Sequence, residues 1–384
     1  MTKLLARPTA SALSSLFLAA ALLVGCSEPD SLVVGQHGAS IAGASFAGRP
    51  SKADDSTGPA RSSPPRNEAE KPAAEAIATA SAGALELPAT ALEAGRILAR
   101  LGVGSGAGQV GFFDAGPSED GTGDTGDDAG PAGIGVDGAG RVHLLDAVNE
   151  RVLRLDAAGV QLAEFPTEAG LPALDLGVAA DGSFAVVYAN AGTQDVVLSS
   201  TEGQRLVVAA LDDAVVPVSA LYLQGGDVLV EHEELRCYPV VKHGVPVPME
   251  LQLAGEIPGA PTAGGSTNGA LVGDHTALVR LFDAEGFLLR EATIQGDRPI
   301  LGMPILRPIA SGGVVVVLLR DAGNEQPEYF AVRLSPQLEL EATAAFRPAV
   351  SRGLARDLAV APDGSVYQLL LSELGATVTV HLAR

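Results

Sequence analysis

Two groups of residues have the types and spacing to do chemistry. Residues 118–130 hold Glu119, Asp120, Asp124, Asp127 and Asp128 among Gly and Thr. Clustered carboxylates suit a hard cation such as calcium, which gathers carboxylate and carbonyl oxygens. The spacing lacks the alternating acids, the turn glycine and the distal bidentate Glu of an EF-hand. Asp120, Asp124, Asp127 and Asp128 are therefore weak calcium candidates, set against the plainer reading of a solvated acidic loop. The second group is the six histidines, His37, His143, His232, His243, His275 and His381. None forms a His-x-x-x-His pair or a His-Glu-x-x-His motif. His143 and His381 fall at strand positions and read as structural. His232 lies between Glu231 and Glu233, and His243 follows Lys242, so both read as solvated or structural. Spacing alone assigns no catalytic residue.

Gly106-Ala107-Gly108-Gln109-Val110-Gly111 has the glycines of a dinucleotide fingerprint after strand-like residues. The fingerprint works only when a helix follows, because the helix N-terminus receives the pyrophosphate. Here Phe112-Phe113-Asp114-Ala115-Gly116-Pro117 follows, so no nucleotide cofactor is expected. No Gly-x-Ser-x-Gly elbow is present, and Gly104-Ser105-Gly106 reads as a turn.

The net charge is −21, from 46 acidic and 25 basic residues. Phosphates would be repelled, so nucleic acid is not an expected partner. Two cysteines exclude a disulfide framework or a cysteine-based zinc cluster. One of them, Cys237, sits in strand-like Leu235-Arg236-Cys237-Tyr238 and reads as a small buried hydrophobe.

The other is Cys26. Lys3 and Arg7 precede an apolar run over residues 12–24, which ends in Leu23-Val24-Gly25-Cys26. A basic start, a short apolar core and a small-residue end make a secretory leader. The run is short for a membrane span, which needs about 20 apolar residues. Leu23-Val24-Gly25-Cys26 resembles the lipobox of bacterial lipoproteins. The plainer alternative is an ordinary secretory leader with an incidental cysteine. The resemblance implies cleavage after residue 25, acylation of Cys26 and a partner in the lipid bilayer. Ser27 follows where Asp would signal inner-membrane retention in enteric bacteria, so the outer membrane is expected. Loss of Lys3 and Arg7 would leave the exported chain two charges more negative.

Residues 26–95 change character. Pro50, Pro59, Pro64, Pro65 and Pro72 lie among Ser, Ala and mixed charge. Such a composition buries too little to offset ordering entropy, and reads as a flexible tether. Residues 73–84 are Ala-rich and could form a short helix, ended by Pro88.

Residues 96–384 alternate short apolar runs with Gly, Asp and Asn turns, the pattern of an all-β fold. The clearest unit spans residues 130–165. It resembles an NHL repeat through Gly130, Pro131, Asp137, Gly140, Asp146, Asn149, Arg151 and Asp156. Weaker copies surround Asp181-Gly182, Gly225-Gly226, Asp283-Ala284-Glu285-Gly286, Gly312-Gly313 and Pro362-Asp363-Gly364. Six units of about 48 residues predict a six-bladed, NHL-like β-propeller, with a β-sandwich as the alternative. The last unit has three strands, and residues 96–101 are placed to supply its fourth. Arg151 reads as a brace within its own blade.

The domain reading is a leader over 1–25, a lipidated tether over 26–95 and a propeller over 96–384. The first function expected is an envelope-anchored binding or scaffolding module for a protein, peptide or glycan. Propeller loops can also converge on the central channel, as in gluconolactonases and streptogramin lyases. A metal-dependent lyase or lactone hydrolase at the channel mouth is the second. A purely structural envelope component is the third.

Overall fold

The computed structural model describes residues 80–88, 91–112, 130–232, 236–323, 326–349 and 356–382. The leader, Cys26, most of the tether and the acidic loop with Asp120, Asp124, Asp127 and Asp128 lie outside them.

Twenty-seven strands form six separate sheets among the described residues. Blade 1 is β4 (Gly133–Val136), β5 (Val142–Asp146), β6 (Arg151–Leu155) and β7 (Gln161–Pro166). Blade 2 is β8 (Ala173–Val178), β9 (Phe184–Asn190), β10 (Thr193–Ser199) and β11 (Arg205–Ala210). Blade 3 is β12 (Ala220–Gln224), β13 (Asp227–His232) and β14 (Arg236–Lys242), with the short β15 (Val245–Pro246) and β16 (Ile257–Pro258) on β14. Blade 4 is β17 (Ala260–Thr262), β18 (Gly265–Gly273), β19 (Thr276–Asp283) and β20 (Leu288–Gln295). Blade 5 is β21 (Ile300–Pro308), β22 (Val314–Asp321), β23 (Pro327–Leu334) and β24 (Leu340–Phe346). Blade 6 is β25 (Leu358–Val360), β26 (Val366–Ser372) and β27 (Gly375–His381).

Core packing makes these sheets a ring. Side chains alternate across a strand, so each blade has two faces to bury. In β22, Val314, Val316 and Leu318 pack toward blade 4, while Val315 and Val317 pack toward blade 6. That double burial explains why residues 314–319 form an unbroken apolar run. Six apolar clusters result, each joining one pair of successive blades, and the cluster of Ile134, Leu144, Leu369 and Val378 joins blade 6 to blade 1. The chain is a six-bladed β-propeller, not a pair of packed sheets.

Closure follows the sequence expectation. β2 (Arg96–Val103) pairs antiparallel with β27, Arg96 opposite Val380 and Leu101 opposite Ala376, and supplies the fourth strand of blade 6. The approach is tight at Gly375, where φ is +123° and a Cβ would stand 2.0 Å from the Leu101 carbonyl oxygen. β3 (Gln109–Val110) returns parallel to β2.

The tether expectation needs correcting at its C-terminal end. Ala80–Glu86 is a strand, β1, paired in parallel with β20, and not the end of an Ala-rich helix. The exposed edge of blade 4 offers unpaired backbone groups, and an Ala-rich segment this short has little helical stability to compete. Leu87 then buries against the blade 4–5 core, and Leu92 bridges to Ala345 of β24. The described residues between 80 and 103 thus meet the outer edges of blades 4, 5 and 6 in turn, so strand pairing to the blades begins before residue 96.

Candidate functional site

The acids of the hairpin turns are used by the turns. Asp137 accepts from the amides of Ala139 and Arg141, Asp156 from Ala158 and Val160, and Asp283 from Glu285 and Phe287. Burial works upward on Asp137. Hydrogen bonds from His143, from the Arg141 and Ala139 amides and from the Arg141 side chain outweigh it and hold its pKa at about 2. His143 is fully buried, 3.5 Å from Asp137 Oδ2, and burial lowers its pKa. His381 stacks on Phe346 at 3.9 Å between centroids, and burial lowers its pKa to about 4. Both are structural. Cys237 is buried, and burial pushes its thiol well up, away from reactive thiolate. Exposed His243 lies 3.6 Å from Asp227, and His232 contacts the Pro217 carbonyl.

The NHL-like signature of blade 1 is also a brace, with a wider reach than expected. Arg151 bonds Asp146 at 2.9 Å and Glu164 at 2.7 Å within its own blade. It also donates to the carbonyls of Ser105 and Gln109. Asn149 donates to Asp146 and to the Gly104 carbonyl, and the Gly111 amide donates to Asp146. The fingerprint-like glycine segment is therefore the lashed loop after β2 together with β3 itself, and residues 113–129, which follow it, lie outside the described residues.

The chemistry gathers instead on the ring axis. Blades 6, 1, 2 and 3 meet through their first strands, β25, β4, β8 and β12, and β21 of blade 5 packs on β17 and β18 of blade 4. In β12, Ala220 and Tyr222 share one face. Glu231 of β13 sits opposite Ala220, diagonal to Tyr222, so the two side chains meet. Tyr222 donates to Glu231 Oε2 at 2.5 Å, and Ser219 Oγ bonds Glu231 Oε1 at 3.1 Å. The guanidinium of Arg307, in β21, stacks on the Tyr222 ring at 3.8 Å. Asp175, in β8, is buried. Arg356 precedes β25, and its Nη2 reaches Asp175 Oδ2 at 2.6 Å and the Ser219 carbonyl at 3.0 Å. Its backbone amide donates to Ala132 of blade 1. One residue thus pins blades 1, 2 and 3 to blade 6.

Burial pushes the Asp175 carboxyl up, against the pull of Arg356. It pushes the Asp357 carboxyl up as well, against its hydrogen bonds. The cluster lines a cavity of about 110 Å³ bounded by Ser219, Tyr222, Glu231, Arg307, Arg356 and Asp357. A second hollow, between blades 5 and 6, has its arginine, Arg333, already paired with Glu341 at 3.1 Å. Among the described residues, no three His, Cys, Asp or Glu side chains converge to hold a metal ion. The four acidic-loop candidates are not among those residues. Sequence reading did not find Asp175, Tyr222, Glu231, Arg307, Arg356 or Asp357. The available signal was a lone acid inside an apolar strand, as in Leu174-Asp175-Leu176 and Leu229-Val230-Glu231.

No family model matches the chain, and no curated protein matches it. Among solved structures, hydrazine synthase of Kuenenia stuttgartiensis is similar over 66% of this chain and 96% of its own, at 13% identity and a TM-score of 0.40. A streptogramin B lyase is similar over 70% and 97%, at 13% identity and 0.37. BamB from Moraxella catarrhalis is similar over 67% and 84%, at 15% identity and 0.32.

Proposed function

We propose that this chain is an envelope lipoprotein, acylated at Cys26, whose propeller binds or scaffolds an envelope protein, peptide or glycan. The observation that carries the binding half is the pinned axis. Arg356 crosses to Asp175 and Ser219 and leaves about 110 Å³. Sites for organic ligands usually offer roughly 300–1,000 Å³. A sugar or lactone does not fit that space, and recognition of anything larger is assigned to the blade edges, the loops and the hollow of about 280 Å³ between blades 5 and 6. Such surfaces carry function while the scaffold keeps its shape. The anchoring half rests on Leu23-Val24-Gly25-Cys26 and the basic, apolar leader before it. Several acyl chains on one residue hold firmly, whereas a single chain binds marginally.

Metabolic labelling tests the anchor. The full chain should incorporate labelled fatty acid and sediment with the outer membrane, and Cys26→Ala should do neither. Label retained by Cys26→Ala would overturn the assignment.

A further inference from the structure

We propose that the axial cavity is a binding site for a small carboxylate of acetate or formate size, held by the guanidinium of Arg307. This goes beyond the surface-recognition reading and does not depend on it. Arg307 and Arg356 line the cavity together with Glu231 and Asp357. Arg356 is neutralised by Asp175 at 2.6 Å. Glu231 accepts from two neutral hydroxyls, Tyr222 at 2.5 Å and Ser219 at 3.1 Å, and has no ion pair among the described residues. Arg307 lines the same cavity, half-buried, and has no hydrogen bond or ion pair among the described residues. A guanidinium carries five N–H donors and keeps its charge, and none of the Arg307 nitrogens is both sealed off and unpartnered, so they are open to a ligand in the cavity. Several other partly or fully buried arginines differ, although buried Arg154, with the Gly182 carbonyl and the Phe165 ring as its partners, also lacks a carboxylate. Arg151, Arg280, Arg298, Arg320, Arg333 and Arg356 each reach a carboxylate.

Geometry selects the ligand class. Stacking on Tyr222 at 3.8 Å fixes the guanidinium plane and leaves its edge free for a planar, bidentate acceptor. A cavity of about 110 Å³ has room for a few waters or a ligand of about four heavy atoms. Asp357 also lines the cavity, and burial pushes its carboxyl up.

The test is a thermal melt of the full exported chain at constant ionic strength, with sodium acetate replacing sodium chloride. The midpoint should rise saturably with acetate, because a ligand held by the folded state alone stabilises it. Arg307→Gln should move the half-effect concentration at least tenfold. Arg307→Lys keeps the charge without the fork and should fall between. Because a variant can fold poorly, saturation-transfer NMR on the unsubstituted protein provides a direct arm, in which acetate signals should be attenuated and relieved by excess formate. No saturation transfer would overturn the proposal. So would an equal rise with phosphate, or an acetate response unchanged in a folded Arg307→Gln.

Discussion

Arg356 and Asp175 lie 181 positions apart and meet at 2.6 Å across the ring axis. Neither belongs to the same blade, and no local signal links them. Removing Arg356 would leave the Asp175 carboxylate buried with only the Leu176 amide as a donor. Breaking a buried pair from one side typically costs about 3–5 kcal/mol. Arg356→Ala should therefore lower the melting midpoint by several degrees, and Asp175→Asn in the same chain should restore part of it. A melt unchanged by Arg356→Ala would contradict the pin.

Closure by β2 makes a different prediction. The cluster joining blades 6 and 1 includes Leu98, Ala99 and Leu101 from this strand. A chain that begins at residue 88 loses β1 and Leu87 and should still fold cooperatively. One that begins at residue 104 loses β2 and should melt broadly or fail to fold. Gly375→Ala should act in the same direction, since its Cβ would overlap the Leu101 carbonyl. Equal melts for the two truncated chains would refute the closure role.

The Arg151 brace should be visible locally. Arg151→Ala removes bonds to Asp146, Glu164, Ser105 and Gln109 together. Amide hydrogen exchange should rise in residues 104–111 well before it rises in blades 3 and 4. The global cost should be about 1–3 kcal/mol, the range for stranding a buried polar group. Uniform loss of protection across all blades would instead mark Arg151 as an ordinary core residue.

His381 sets an acid limb to stability. Burial lowers its pKa to about 4 in the folded chain, from 6.5 when exposed. The unfolded chain therefore binds more protons between those values, and stability falls as pH drops through that window. The contribution is full above about pH 6.5 and exhausted below about pH 4, with an upper bound of about 3 kcal/mol. His143, lowered by burial in the same sense, adds to the slope. Asp137, held at about 2, acts in a lower window, as pH falls from near 4 toward 2. A pH series of melts on His381→Phe should show a shallower limb between pH 6.5 and 4, and an unchanged limb would contradict this assignment.

The ring was legible in the sequence because its grammar is local. Asp-Gly turns, apolar runs such as residues 314–319 and the NHL-like spacing around Asp146, Asn149 and Arg151 each reflect neighbours in the chain. Even the closing strand could be placed, since the last unit ended one strand short. The axial cluster was not legible, because Asp175, Glu231, Arg307 and Arg356 come from four blades and meet only when the circle closes. β1 escaped for another reason. Its Ala, Ser and Gly residues carry no strand pattern, and its pairing is dictated by the exposed edge of β20.

The central claim, that recognition falls to the outer surface of an anchored propeller, is best tested by photo-cross-linking in intact cells. A photoreactive residue would replace exposed Leu251, Phe287 or Leu374 in turn, and buried Leu144 as a control. The account predicts a discrete cross-linked species from at least one exposed position, lost in Cys26→Ala. Absence of any cross-link from every exposed position, in folded and acylated protein, would contradict it.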